Sequence, residues 1–314
     1  MTRSNPRALS AESGFTLVEV MVTTGILMAV SAIVMSGVLD MTQLNNTVTN
    51  RAQMFAGVRN ATALLQQEVG QAGRIVMPAS TLQAGVAAGT NPVAVTAGTA
   101  ASMFVGEQIV VGAGNPPAAC PTCLQETVAI TAINGDNITA TFANPHLANE
   151  PLTVQGAFSS GVVPPTVANG STGWTLKIFG DINGTGSLVY VEYFCDIPNG
   201  RLYRNQMAWN AAAKVVPPTV DQILVENVQS NPGNAACFTY QTKTIGTTPF
   251  VIGVAITLTV QSQDKDPITQ EFQKESKALL NVSPRNVFNA WQLASLDIGN
   301  RVQPTPAQVT ALLP

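Results

Sequence analysis

The sequence predicts an α+β protein with a long N-terminal helix, an antiparallel β-sheet domain, and a small all-β module inserted between them. Three observations lead to this prediction: a long apolar run near the N-terminus, helical spacing of apolar residues beyond it, and short β-branched segments separated by turn residues. The expected segments are a polar N-terminal segment 1–14, a helix 15–74 of which 15–39 crosses a membrane, an inserted module 75–160, a sheet domain 161–286 and a C-terminal tail 287–314.

Composition narrows the class of protein. Charged residues make up 11% of the 314 residues, against about 25% in ordinary soluble domains. With 46% hydrophobic residues the chain is too apolar to be disordered, and a net charge of -3 leaves no basic surplus for general nucleic-acid binding. The low charge is expected from a membrane segment, from a secreted β-rich body, or from both.

The first source of low charge is the run Phe15–Leu39, whose 25 residues contain a single charge, Glu19. A helix of this length measures about 37 Å, enough to cross a hydrocarbon layer of ~30 Å. The alternative is a cleaved secretory signal, whose apolar core would be only ~7–15 residues long and followed by a small-residue cleavage site. The run is too long and lacks such a site, so we expect a membrane span.

Helical spacing continues beyond the span, which predicts that the helix extends outside the membrane. Gly70 and Gly73, followed by Pro78, are the expected stop signals. The residues at this helical spacing form a stripe along one side of the helix. This stripe is most simply the face on which the globular domain packs, and it is not interpreted as a cofactor site. Its positions are Leu44, Val48, Arg51, Phe55, Val58, Leu65 and Val69.

Glu19 requires an explanation, because an ionised carboxylate facing lipid costs several kcal/mol and is normally retained only with a partner. A positive charge near the start of another copy of the segment would be such a partner. Cleavage before Phe15 would create one, the new α-amino group. The residues Gly14–Met21, GFTLVEVM, resemble the prepilin signal shared by type IV pilins and type II secretion pseudopilins.

This resemblance implies that a prepilin peptidase cleaves after Gly14 and N-methylates Phe15, and that Glu19 pairs with a neighbouring subunit's amino terminus during assembly. Residues 1–14 would then be the leader, with Arg3 and Arg7 on the cytoplasmic side. The alternative is an unprocessed single-span anchor with an accidental glutamate.

Three further stretches resemble PilW-like minor pilins. They are Leu64–Arg74, which is also similar to the J-type minor pseudopilin, Gly200–Arg204 and Val282–Asn286. In that family the last two fall on the sheet and at its end. The resemblance therefore implies that the sheet packed on the long helix lies within 161–286.

Two β regions are expected from the turn-bounded segments. In the charge-poor module we predict five strands that fit a small barrel or sandwich, with Asn134–Asn137 as a hairpin turn. After 287 we expect one short helix, Val287–Leu296, and then a mobile proline-containing end. The predicted strands are Val93–Ala97, Glu107–Val111, Glu126–Ile133, Ile138–Phe142 and Leu152–Gln155 in the module, then Thr175–Phe179, Leu188–Phe194, Arg201–Asn205, Cys237–Thr242 and Phe250–Val260.

The single histidine, His146, follows Asn144-Pro145 in a predicted loop. A catalytic or metal-binding histidine would need a second histidine or a nucleophile signature nearby, and neither is present. We therefore expect a surface-loop role.

Four cysteines are expected to form disulfides, because a chain that crosses the membrane leaves them in an oxidising compartment. Of three connectivities, Cys120–Cys123 and Cys195–Cys237 are favoured, the first because it closes locally and the second because both residues lie at strand ends. Redox activity of the Cys120/Cys123 pair stays an alternative, although the motif sits in a Pro/Ala loop without a thioredoxin-like setting. Zinc is disfavoured because no second CxxC or paired histidine is available.

A calcium site is the only cofactor site considered. Asp181, Asn183, Thr185 and Glu192 follow the spacing of an EF-hand loop, although threonine replaces the usual acid or amide at the fifth position. The flanking segments alternate as strands, however, which favours a glycine-rich hairpin turn. Calcium stays an alternative, and no other cofactor is expected.

No sequence feature supports catalysis, because Ser-His-Asp order, paired catalytic carboxylates, a phosphate-binding loop and HExxH are all missing. The resemblance implies a minor pilin, not an enzyme, that helps to initiate or cap a type IV pilus, with consequences for adhesion, motility or DNA uptake. Its partners would be major and minor pilins, the prepilin peptidase, the inner-membrane assembly platform and, before assembly, membrane lipid. It would sit in the cytoplasmic membrane and then in the periplasm or at the cell surface.

Three alternatives stay open: a minor pseudopilin of a type II secretion system, a membrane-anchored module that binds a surface ligand through the charge-poor insert, and a thiol oxidoreductase using Cys120 and Cys123.

Overall fold

The computed structural model describes residues 14–214, 219 and 222–314, so the predicted leader residues 1–13, including Arg3 and Arg7, lie outside the described part of the chain. The chain divides into two compact units. The first contains the described residues up to Ala52 and Asp264–Gln273, and the second contains Gln53–Gln263 and Lys274–Pro314.

Helix α1 spans Leu17–Gln71, close to the predicted range. At its start the Glu19 N–H donates to Thr16 Oγ1 at 3.3 Å, a side-chain cap for one of the free amides of the first turn. Beyond its end Gly73 has φ +80, a left-handed conformation that glycine adopts without strain. The helix therefore ends between the two predicted stop signals, Gly70 and Gly73.

In the first unit, α1 carries the apolar run. The helix is long and apolar enough to cross a membrane, since its most apolar 18 residues have a mean hydropathy of 2.2 and none of them is buried. The expected membrane-length helix is thus present and is compatible with anchoring in a membrane. In the same unit, Thr47 Oγ1 lies 3.3 Å from Asp266 Oδ1.

The inserted module forms a small closed barrel of antiparallel strands. Its strands are β1 (Ser80–Thr81), β2 (Gly89–Ala94), β3 (Gln108–Val111), β4 (Glu126–Asn134), β5 (Asn137–Phe142) and β6 (Pro151–Val154). They follow the order β1-β6-β3-β4-β5-β2. Backbone hydrogen bonds Gln83 N–H to Ala94 O (2.8 Å) and Thr96 N–H to Thr81 O (3.1 Å) join the two outer strands. The barrel, one of the two predicted forms, is confirmed, as is the Asn134–Asn137 hairpin between β4 and β5.

Two further antiparallel sheets follow, and all five strands predicted in this region are present. The short strand β7 (Ala157–Phe158) comes first in the chain. One sheet then contains β8 (Thr175–Gly180), β9 (Val189–Asp196), β10 (Arg201–Ala208) and β11 (Ile223–Glu226). The other contains β12 (Val228–Gln229), β13 (Phe238–Ile245), β14 (Thr248–Lys265) and β15 (Phe272–Val282). The first sheet has the order β11-β10-β9-β8, and in the second β14 pairs with β12, β13 and β15. In this region the prediction missed β7, β11, β12 and β15.

The second part of α1 packs on these sheets within the second unit. Val58, Leu65 and Val69 of the predicted stripe are buried there, whereas Phe55 is 44% exposed and does not belong to the packed face. The apolar partners come from both sheets and include Leu176, Val191, Leu202, Val254 and Ile256. An α+β fold with a helix packed on antiparallel sheets is thus confirmed.

The prediction of a mobile C-terminal end is wrong. After α2 (Arg285–Ser295) the chain forms β16 (Val302–Gln303), which pairs in parallel with β7, and α3 (Ala307–Leu312). Val309 and Leu312 are buried with Phe104 of the barrel region and Phe179 of β8. Because apolar side chains at the end of the chain fill this cluster, the tail is part of the core.

Both favoured disulfides are present, Cys120–Cys123 and Cys195–Cys237, with Cα atoms 5.4 Å and 6.5 Å apart. The second joins the end of β9 to the residue before β13, and so links the two sheets that pack on α1.

Candidate functional site

The segment before α1 presents the predicted processing bond. Gly14 and Phe15 precede the helix, and the Phe15 side chain is 80% exposed. A Cβ added to Gly14 would meet no atom within 4 Å. The Gly14–Phe15 peptide bond is therefore open to an enzyme in the described part of the chain.

Glu19 lies in the first turn of α1, where a carboxylate interacts favourably with the helix dipole. It forms no ion pair with any described residue. The threonines that follow it satisfy their own hydroxyls: Thr23 Oγ1 donates to Glu19 O at 2.8 Å and Thr24 Oγ1 to Val20 O at 2.6 Å. Glu19 is thus the single charged side chain of this apolar run, and facing lipid it would need a partner of opposite charge.

The apolar side chains around Glu19 are exposed on all sides of the helix, among them Leu17 (77%), Met28 (73%) and Ile33 (72%). Apolar surface of this extent is unfavourable in water by about 25 cal/mol for each Å². Lipid or the helices of other subunits would remove it from water, so the first part of α1 is built to contact something other than its own chain.

In the second unit, two separate contacts near the end of α1 join the first of the three family-like stretches to the other two. Glu68, from the first stretch, is buried and accepts hydrogen bonds from Arg204 Nε (3.1 Å) and Arg204 Nη2 (2.5 Å), from the second. Asn286, from the third, donates to Gln71 O at 3.2 Å. Sequence reasoning identified the stretches but not these contacts, because the partners lie more than 130 residues apart in the chain.

Tyr193 completes a cluster with Glu68 and Arg204. Its hydroxyl donates to Glu68 Oε2 at 2.5 Å, and burial, with the nearby Glu68 charge, raises the pKa of Tyr193. The tyrosine therefore stays protonated as a hydrogen-bond donor. The arrangement fixes the helix to β9 and β10 and contains no group poised for chemistry.

The surface-loop prediction for His146 is wrong. The side chain is buried, with Nδ1 2.7 Å from Glu150 Oε2 and Nε2 2.9 Å from Glu126 Oε1. Glu126 also accepts the Ala143 and Asn144 N–H groups, so the imidazole ties the loop after β5 to the start of β4. The two partner carboxylates were visible in the sequence as two of only four charges in the module, but nothing marked them as neighbours of His146.

The four residues with EF-hand spacing are not brought together. Asp181 Oδ1 accepts the Thr185 N–H at 2.9 Å, and its Oδ2 lies 3.6 Å from Arg74 Nε. Glu192 lies on β9 opposite Lys177, and its Oε2 is 3.2 Å from Lys214 Nζ. Asn183 remains in the turn between β8 and β9. The hairpin-turn interpretation is confirmed, whereas this arrangement, in which each carboxylate has a cationic neighbour, adds no support for a calcium site.

The CxxC motif does not have the setting of a thioredoxin-like centre. Cys120 is partly buried and Cys123 is buried, in a loop without regular secondary structure. A thioredoxin-like centre needs the first cysteine at a helix N-terminus, which this loop does not provide. Among residues 14–214, 219 and 222–314, no three His, Cys, Asp or Glu side chains are placed to hold a metal ion.

Comparison with protein-family models, with curated proteins and with solved structures finds no match for this chain.

Proposed function

We propose that this chain is a type IV pilin-like subunit of the minor, PilW-like kind, which is held in the membrane by α1, processed after Gly14 and incorporated into a filament through α1. The observation that carries the proposal is the combination at the N-terminus. An exposed Gly14–Phe15 bond is followed by the apolar run of α1 up to Leu39, whose side chains are exposed on all sides and whose single carboxylate, Glu19, forms no ion pair with a described residue.

The mechanism follows from charge. Cleavage after Gly14 frees the amino group of Phe15, which carries a positive charge at neutral pH. In a low-dielectric bundle of parallel helices this charge neutralises Glu19 of a neighbouring subunit, and the apolar faces of α1 leave the lipid for each other. The β structure then projects from the helical bundle. The first of the three family-like stretches contacts each of the other two, through Glu68 with Arg204 and through Gln71 O with Asn286, and these contacts give further support.

Processing is tested by mass spectrometry of the protein isolated from cell membranes. The expected N-terminus is N-methyl-Phe15, and it should be lost in cells without prepilin peptidase. Detection of the unprocessed chain in peptidase-positive cells, or of any other N-terminus, would contradict the proposal.

Assembly is tested with Glu19→Val, which keeps the apolar run and removes the charge. The variant should insert in the membrane like the wild-type chain yet be missing from sheared filaments. Asp40→Asn is the matched control, because Asp40 is an exposed acid of the same helix beyond the apolar run. Normal incorporation of Glu19→Val would count against charge pairing.

A pseudopilin of a type II secretion system would carry the same N-terminal signal, but it would serve protein secretion instead of a surface pilus. Deletion of the gene should reduce surface pili if the chain belongs to a type IV pilus, and should instead block secretion of folded periplasmic proteins if it belongs to a pseudopilus. The same deletion strain serves for both measurements.

A further inference from the structure

Strand β15 has one open edge. Its partner β14 is paired along its other edge: the N–H groups of Thr257 and Gln261, four residues apart and so on the same edge of β14, donate to Cys237 O and Asn227 O. The neighbours β12 and β13 thus share that edge, and β15 occupies the opposite one. In the described part of the chain β15 pairs with no second strand, so backbone donors and acceptors along its outer side are available.

A polar cleft of about 540 Å³ adjoins the C-terminal end of this edge within the second unit. One wall is the helix face of Gln66, Gln67 and Gln71, and the other is the chain from Asn281 to Arg285. The three glutamine side chains have no hydrogen-bond partner among the described residues. Primary amides both donate and accept, so this wall suits a main chain better than it suits an apolar group.

Most of the charged side chains at the cleft and along β15 are cationic. Arg285 is exposed, lines the cleft and has no ion pair with a described residue. Arg59 lies four residues before Ala63, which lines the cleft, and therefore shares its helix face. Lys274 and Lys277 are exposed on β15 itself, with the partly buried Glu275 between them. In a chain with net charge -3 these cations select for negative charge in whatever lies along β15.

We propose that the outer edge of β15 and the adjoining cleft bind an acidic segment of a partner polypeptide in extended conformation, added as a further strand. An open strand edge recognises the main chain of such a segment, and a helix beside the edge provides a second wall. Arg285 would pair with a carboxylate of the segment where it enters the cleft. The proposal does not depend on processing at Gly14, and so it can fail or hold independently of the proposed function.

The ligand is sought without assuming its sequence. Full-length protein in detergent is panned against a phage-displayed library of random nonapeptides, and the most enriched peptide is synthesised with a fluorescent label for anisotropy titration. We expect enriched peptides to be acidic, and we expect Arg285→Glu to weaken binding at least tenfold. Lys243→Glu is the matched control and should leave binding unchanged, because Lys243 is exposed and without an ion pair on β13, across β14 from β15.

Strand addition is tested on the peptide, so that folding of the protein is not disturbed. In an added strand alternate N–H groups face the edge. Two peptides are therefore compared, one N-methylated at the odd-numbered residues and one at the even-numbered residues. One of them should lose binding and the other should keep it. The proposal is overturned if no peptide is enriched, if Arg285→Glu binds like the wild-type protein, or if the two N-methylated series bind alike.

Discussion

The two parts of helix α1 differ in where their apolar side chains find a partner. In the first part Leu27 is 64% exposed, while in the second Leu65 is fully buried against strands of the same chain. Hydrophobicity is high in both places, so hydrophobicity alone does not show whether a surface is satisfied within the chain. The second part is covered by the β sheets, whereas the first part leaves its apolar side chains exposed, which is compatible with anchoring in a membrane.

The variant with the largest expected effect on stability removes the cation that pairs with Glu68 in the second part of α1. Arg204→Ala should lower the free energy of unfolding by about 3–5 kcal/mol, because Glu68 would remain buried without its cation. Urea unfolding of the full chain in detergent, followed by tryptophan fluorescence, measures the loss. Arg59→Ala is the control, since Arg59 is exposed without an ion pair and should change stability by less than about 0.5 kcal/mol. Equal effects of the two variants would show that the Glu68 cluster does not fix the helix.

A second buried carboxylate, Glu107, has no cationic partner among the described residues, so replacing it should raise the free energy of unfolding instead of lowering it. Glu107 is 1% exposed, and burial raises its pKa to about 8, partly offset by the hydrogen bond from the Phe104 N–H. The folded chain therefore keeps this proton between pH 4.5, the ordinary pKa, and about 8, where the unfolded chain has lost it. Its contribution to stability falls as pH rises through that window and is lowest above pH 8.

Glu107→Gln removes this penalty while its amide oxygen can still accept from the Phe104 N–H. At pH 8 the variant should be more stable than the wild-type chain by about 4 kcal/mol, and near pH 4 the two should be equal. Unfolding titrations at several pH values measure the difference. Glu226→Gln, an exposed acid on β11, is the control and should show no such pH dependence. A constant difference between Glu107→Gln and wild type across pH would contradict the buried-proton explanation.

A matched pair of leucines tests the comparison directly. Leu65→Ala should lower the free energy of unfolding by about 3 kcal/mol, within the range for buried leucines, because it leaves a cavity between helix and sheets. Leu27→Ala should change it by less than about 0.5 kcal/mol but should weaken membrane retention or filament incorporation. The two variants are compared in the same unfolding and cell-fractionation experiments. If Leu27→Ala destabilised the β domain as much as Leu65→Ala, the first part of α1 would have a partner within its own chain.

How well the sequence predicted a contact depended largely on how many positions separate the two residues in the chain. The Asn134–Asn137 turn and the Cys120–Cys123 bond each form between residues three positions apart, and both were predictable from local chemistry. The contacts of Glu68 with Tyr193 and Arg204 join residues 125 and 136 positions apart, and no local signal predicts them. His146 was misjudged although Glu150 is only four residues away, because no local signal places its other partner, Glu126 of β4, beside it.

The smallest effect concerns the end of the packed part of α1. Asn286 Nδ2 donates to Gln71 O at 3.2 Å and also lies 3.4 Å from Ala72 O, so it gives the last carbonyl of the helix a second donor beside the Arg74 N–H. Asn286→Ala should lower the free energy of unfolding by about 1 kcal/mol and speed amide hydrogen exchange in the last turn of α1. Asn289→Ala, at an exposed position of α2, is the control and should do neither. If exchange in the last turn stayed at the wild-type rate, water would be replacing the amide, and the stability of the helix end would come from the Glu68 cluster and apolar packing alone.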